Sequence, residues 1–175
     1  MIHLKRKNLL IIICAIIIII VISGLNGLYR QQVGVVASQK EEKYDDLFFS
    51  YEVIRYPASA EIANNTPNIT LGFNVDTDEL GFGLIPTGGN FGTKHINLEN
   101  RMESTAKIKA YARGDISPLI EFPQNNIMLG GKETLRMDVR LSTAADTEPG
   151  NYAGEVGIKI IRARHAIGSL LLPWV

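Results

Sequence analysis

Leu9 to Ser23 reads LLIIICAIIIIIVIS, and the uncharged stretch around it runs from Asn8 to Tyr29. As a helix of about 22 residues it would measure roughly 33 Å, enough to cross the hydrocarbon core of a bilayer. Lys5, Arg6 and Lys7 precede it. The positive-inside rule then keeps residues 1–7 as a cytoplasmic basic tail, makes 8–29 a signal-anchor helix and exports everything downstream. A cleaved signal peptide is the competing reading, with Val21-Ile22-Ser23 before Gly24 as its cleavage site. Both readings place the remainder outside the cytoplasm.

The chain's only cysteine, Cys14, lies inside this run behind Ile13. That excludes an internal disulfide or a cysteine-rich zinc site, and the position does not suit a lipoprotein cysteine. A type IV pilin would need a small residue after the basic cluster and an early acid, which Asn8 and the isoleucines do not supply. Of the 18 basic residues three precede the run, leaving 15 downstream against 18 acids. A nucleic-acid binder normally shows a basic excess, so nucleic acid is not an expected partner.

Residues 30–68 read as a juxtamembrane stalk and linker. Tyr29, Val33, Val36, Tyr44, Leu47, Tyr51 and Ile54 recur at steps that fit a helical stripe, with Lys40 to Lys43 as its solvated face. The expectation is a helix to about Lys43, with Leu47–Tyr56 open to a strand reading and Pro57 closing any helix. The small, polar stretch Ala58–Asn68 carries two glycosylation acceptor patterns, at Asn64 and Asn68.

From Ile69 the apolar period becomes two. Strands are expected at Ile69–Val75, Leu80–Ile85, Thr93–Leu98, Ala106–Ala112, Pro118–Phe122, Thr134–Leu141 and Tyr152–Ile161, separated by turn sequences such as Glu-Pro-Gly-Asn. Residues 69–163 therefore read as an immunoglobulin-like (Ig-like) antiparallel β-sandwich, and the chain as mainly β behind a transmembrane helix. With no cysteine pair or tryptophan in that stretch, Leu, Ile, Val, Phe and Tyr must make the core.

Three motifs carry a resemblance over roughly 90 residues. They are Leu80, Phe82, Gly83, Ile85, Pro86 and Gly88; then Ile96, Leu98 and Asn100; then Ala145, Pro149, Gly150, Tyr152 and Gly154. In these the chain resembles Ig-like modules of archaeal surface proteins of unknown function, and more loosely NEW3-like and hydin-like β-sandwiches. The resemblance implies a surface-exposed fold with a structural or adhesive role. In plan alone, one membrane helix before a small sandwich is also similar to archaellum stator subunits, which implies an anchor or stator subunit of a surface appendage as the second reading.

No pattern points to catalysis, a cofactor or a metal. Asn74–Glu79 opens like a calcium loop, but Glu79 and Ile85 stand where Gly and an acid are required. A strand-connecting turn is the simpler reading of Asp76 and Asp78. Gly88-Gly89-Asn90-Phe91-Gly92-Thr93-Lys94 holds the letters of a phosphate loop in the wrong order, so its glycines read as turn residues. His3, His95 and His165 lie far apart, and His95 is expected to face solvent. Arg113-Gly114-Asp115 reads as a turn.

The segment 164–175 ends in Leu170, Leu171, Leu172, Pro173, Trp174 and Val175, too short to span a membrane. Leu170, Leu171, Leu172 and Trp174 are the candidate interaction residues. The tail can pack on the sandwich, dip into the lipid interface, or pair with a neighbouring subunit's sheet edge. The expected partners are the bilayer and a surface protein or a second copy.

Overall fold

The computed structural model of the chain describes residues 35–64 and 78–175. Val35–Val175 form one compact unit. The basic tail, the anchor helix, Asn68, Asp76 and the expected strand Ile69–Val75 lie outside the described residues.

The domain is mainly β. Its strands are β1 (Lys40–Asp45), β2 (Phe49–Ala63), β3 (Leu80–Pro86), β4 (Phe91–Glu99), β5 (Ala106–Gly114), β6 (Ile120–Glu121), β7 (Ile127–Leu129), β8 (Thr134–Ser142) and β9 (Gly150–Ala163). One sheet has the order β1-β2-β9-β5-β7, and the second is β4-β8-β6. All pairings are antiparallel except β2 with β3, which run parallel. β2 pairs β9 along nearly its whole length from Phe49 to Ile62, while its other edge is shared by β1 and then β3.

Two residues per period sort every long strand into faces. On the first sheet Ala58, Ala60, Ile62, Ile108, Val156 and Ile158 point toward the second, which supplies Ile96, Leu98, Met137, Val139 and Leu141. These side chains make the main core, from the residue types the sequence anticipates. The opposite face of the first sheet is also largely covered. Phe49, Tyr51, Ile161 and Leu172 form a second, smaller cluster there. Cover on both faces explains the nearly unbroken apolar run Val156–Ile161, interrupted by Gly157 and Lys159.

Four expectations are corrected. The stalk helix through Lys43 is instead the edge strand β1. The sandwich therefore begins at Lys40, and Ala58–Ala63 of the expected linker is the paired end of β2. Pairing decided this: Tyr44 stacks on Tyr51 at 4.7 Å, and Phe49, Tyr51 and Val53 obey the strand period. Pro57 sits within β2 opposite Glu155. Pro118–Phe122 is mostly a 3-10 turn (Ser117–Leu119) followed by the two-residue β6, because Pro118 sits in its first turn. Ile127–Leu129, too short to show a period, is the additional strand β7. Gly88 and Gly89 are turn residues with φ of 93° and 87°, as read from the sequence.

Candidate interaction surfaces

The tail is not a strand. Ala166–Leu171 form helix α1, and Leu172–Trp174 continue it as a 3-10 turn with Pro173 in its first positions. Gly168, Leu172 and Val175 share the face turned to the sheet. A side chain at Gly168 would stand 2.5 Å from the Phe48 carbonyl oxygen, so only glycine lets the helix lie this close. Leu172 is 3% exposed and packs with Phe49, Tyr51 and Ile161. It belongs to the domain's own core, which corrects its place among the interaction residues. Because the tail is helical, it also does not offer a strand to a neighbour's sheet edge.

Polar groups hold the tail down. Lys107 Nζ donates to the Pro173 carbonyl at 2.7 Å, and Lys109 Nζ to the Val175 oxygen at 3.3 Å. The Arg164 amide donates to Phe48 O and its Nη1 to Asp46 O. Asp46 in turn accepts from the Phe48 and Phe49 amides and from the Tyr51 hydroxyl. Burial, and then that bond to Asp46, push the Tyr51 phenol far above its ordinary value. Burial pulls the Lys159 ammonium down, where it lies 4.8 Å over the Tyr51 ring.

The outward face of the tail is apolar. Ile167, Leu170, Leu171 and Trp174 are 62%, 77%, 41% and 87% exposed. Their spacing, i, i+3, i+4 and i+7, makes one stripe. Ile167 was not singled out in the sequence, although that spacing was there to read. Leu47, on the β1–β2 turn that grips the tail, is 59% exposed as well. Leu172→Ala should cost about 2–4 kcal/mol through the cavity it leaves. Leu170→Ala and Trp174→Ala should stay within about 0.5 kcal/mol. Urea unfolding of the three variants checks the contrast, and equal losses would deny the two-faced tail.

A second candidate is an open cleft of about 950 Å³ between the sheets, lined in part by Glu41, Lys43, Glu52, Arg162, Leu98 and Leu135. It exists because β2 and β9, of 15 and 14 residues, overrun the nine-residue strands β4 and β8. The uncovered inner-face residues pair with one another: Arg162 with Glu52 at 2.8 Å, and Lys43 with Glu41 at 2.6 Å and Glu52 at 3.6 Å. Burial raises the Glu52 carboxyl, but Arg162 and Lys43 outweigh it and hold the group below its ordinary value. A depressed carboxylate stabilises the fold above its unfolded pKa. Stability should therefore fall as the pH drops through about 4.3 and toward the lower folded value. Glu52→Gln should flatten that limb of a melting-temperature profile against pH, and an unchanged limb would exclude Glu52 as its source.

The remaining sequence candidates are not brought together. His95 bonds Asp138 at 2.7 Å on the outer face of the second sheet, and both are about 40% exposed. Among the described residues no hydroxyl or thiol bonds that histidine, and no three metal-ligating side chains cluster. Asp78 and Glu79 are exposed. Arg113 turns onto the Tyr111 ring and Glu155, so Arg113-Gly114-Asp115 is not displayed as a tripeptide. Asn64 is exposed at the end of β2.

No family model matches the chain. No curated protein matches it either. Among solved structures, an antigen and type I fimbria protein of Burkholderia pseudomallei is similar at a TM-score of 0.30 and 11% identity, over 64% of this chain and 98% of that one. So distant a likeness carries neither fold detail nor role.

Proposed function

We propose that the chain is a single-pass membrane protein that displays a non-catalytic, Ig-like β-sandwich on the outer side of the membrane as a structural or binding module. The uncharged Asn8–Tyr29 stretch behind Lys5–Lys7 carries this reading, because the folded domain begins only a few residues after it. The ordered sandwich with an apolar tail face and an open cleft between its sheets supports binding rather than turnover. The partner is the bilayer together with a surface protein or a second copy.

The test is topological. A Cys14→Ala chain carrying Asp115→Cys, at an exposed turn, is treated with a membrane-impermeant maleimide on intact cells. Labelling without permeabilisation is expected. Labelling only after permeabilisation, or loss of the chain from the membrane fraction, would overturn the proposal.

A further inference from the structure

The tail helix has two apolar faces, and the domain uses only one. Leu172 and Val175 serve the core, while Ile167, Leu170, Leu171 and Trp174 have no partner among the described residues. This is a held surface: the Lys107 and Lys109 bonds and the Arg164 contacts to the β1–β2 turn fix its direction. We infer that the stripe rests in the lipid–water interface and acts as a foot that sets how the domain lies on the bilayer. This inference rests on the membrane-anchored reading above.

Three observations select lipid as the occupant. The stripe is aliphatic with a tryptophan at its end, the composition of interfacial segments, in which the indole sits at headgroup depth. Leu47, on the β1–β2 turn whose Asp46 and Phe48 carbonyls accept from Arg164, is a further exposed aliphatic side chain. The third observation is chain length. Six residue steps separate Tyr29 from Val35, a reach of about 20 Å. Val36 is bonded to Glu155, and eight β9 residues, roughly 27 Å, separate Glu155 from Ala163 next to the tail. A domain on so short a tether can bring its tail to the same surface. A six-residue helix alone would bind lipid weakly, but tethering makes the contact intramolecular, at an effective concentration of the order of millimolar.

Trp174 is the chain's only tryptophan, so its emission reports the stripe alone. The full chain is reconstituted into phosphatidylcholine–phosphatidylglycerol vesicles, with and without lipids brominated near the headgroup end of the acyl chain, and floated on a density gradient. The expected result is co-flotation, blue-shifted emission and a clear loss of emission in brominated vesicles, because an interfacial indole lies at headgroup depth. Leu170→Asp with Leu171→Asp should abolish the quenching while flotation and melting stay unchanged. A chain that floats with water-like, unquenched Trp174 overturns the foot and leaves the anchor standing. A blue shift that grows with protein concentration but ignores bromine also overturns it, in favour of a second copy. Failure to float overturns the anchored reading and the foot with it.

Discussion

Glu155→Ala is expected to cost about 3–5 kcal/mol of folding stability. Glu155 is fully buried in β9, on the face of the first sheet away from the second sheet. Arg113 lies directly across on β5, with Nη1 3.9 Å from Oε1. Arg55 of β2, only 2% exposed, places Nη1 3.5 Å from Oε2. The Val36 amide donates to the same oxygen at 3.2 Å, so the carboxylate also fastens the chain entering the domain. Removing it takes the carboxylate from between Arg113 and the buried Arg55 guanidinium, which then leans on Glu42 at 2.8 Å. The pair's own net contribution is a different quantity, because desolvating two charges offsets most of their attraction. Arg55→Met with Glu155→Leu should therefore recover most of the loss. Urea unfolding of the single and double variants separates the two quantities. A single-variant loss below about 1 kcal/mol, the range of surface pairs, would show that Glu155 is not sealed from water.

How much of this was legible in the sequence differed from strand to strand. β3, β4, β5 and β8 were readable because their apolar residues recur at a period of two, and β9 because its apolar, β-branched run follows the Pro149-Gly150 turn. β1 was hidden by a coincidence of spacing, which also left Leu47–Tyr56, the start of β2, open between helix and strand. Tyr44, Leu47, Tyr51 and Ile54 fall three, four and three residues apart, which satisfies a helix. Tyr51 and Ile54 lie on opposite faces of β2, a fact only the pairing with β9 supplies. β1, KEEKYD, carries almost no apolar signal because it is an edge strand whose charges keep other strands away. In the tail the apolar residues were evident, but their division was not. Leu172 and Leu171 are adjacent in sequence, and only the phase of α1 against the Phe49–Tyr51 surface sends one inward and the other out. Glu155 gave no sign at all, since one acid in a strand normally faces water.

Gly154→Ala should be strongly damaging for so small a change, at about 3 kcal/mol or more. Gly154 lies between Gly114 of β5 and Ala58 of β2, where β5 ends and the chain turns toward Ser117. Its backbone needs no left-handed conformation, so the obstacle is space alone. A methyl group there would overlap the carbonyl oxygen of Arg113 and stand 2.7 Å from Cγ2 of the fully buried Ile116. Neither neighbour can yield cheaply. The carbonyl belongs to β5, and Ile116 is fixed in the core and by its amide bond to the Ala153 oxygen at 3.2 Å. Relief requires β5 to separate from β9 at this end, which disturbs Arg113 and, through it, the surroundings of Glu155. Gly89→Ala is the control. Gly89 has φ of +87° and open space around it, so its cost should be confined to the backbone, about 1–2 kcal/mol. Thermal melts of the two variants decide between space and backbone conformation as the demand on these glycines. If Gly154→Ala melts no lower than Gly89→Ala, then β5 and β9 are not closely packed at this end, and Gly154 serves only the turn chemistry that its neighbours Pro149 and Gly150 already provide.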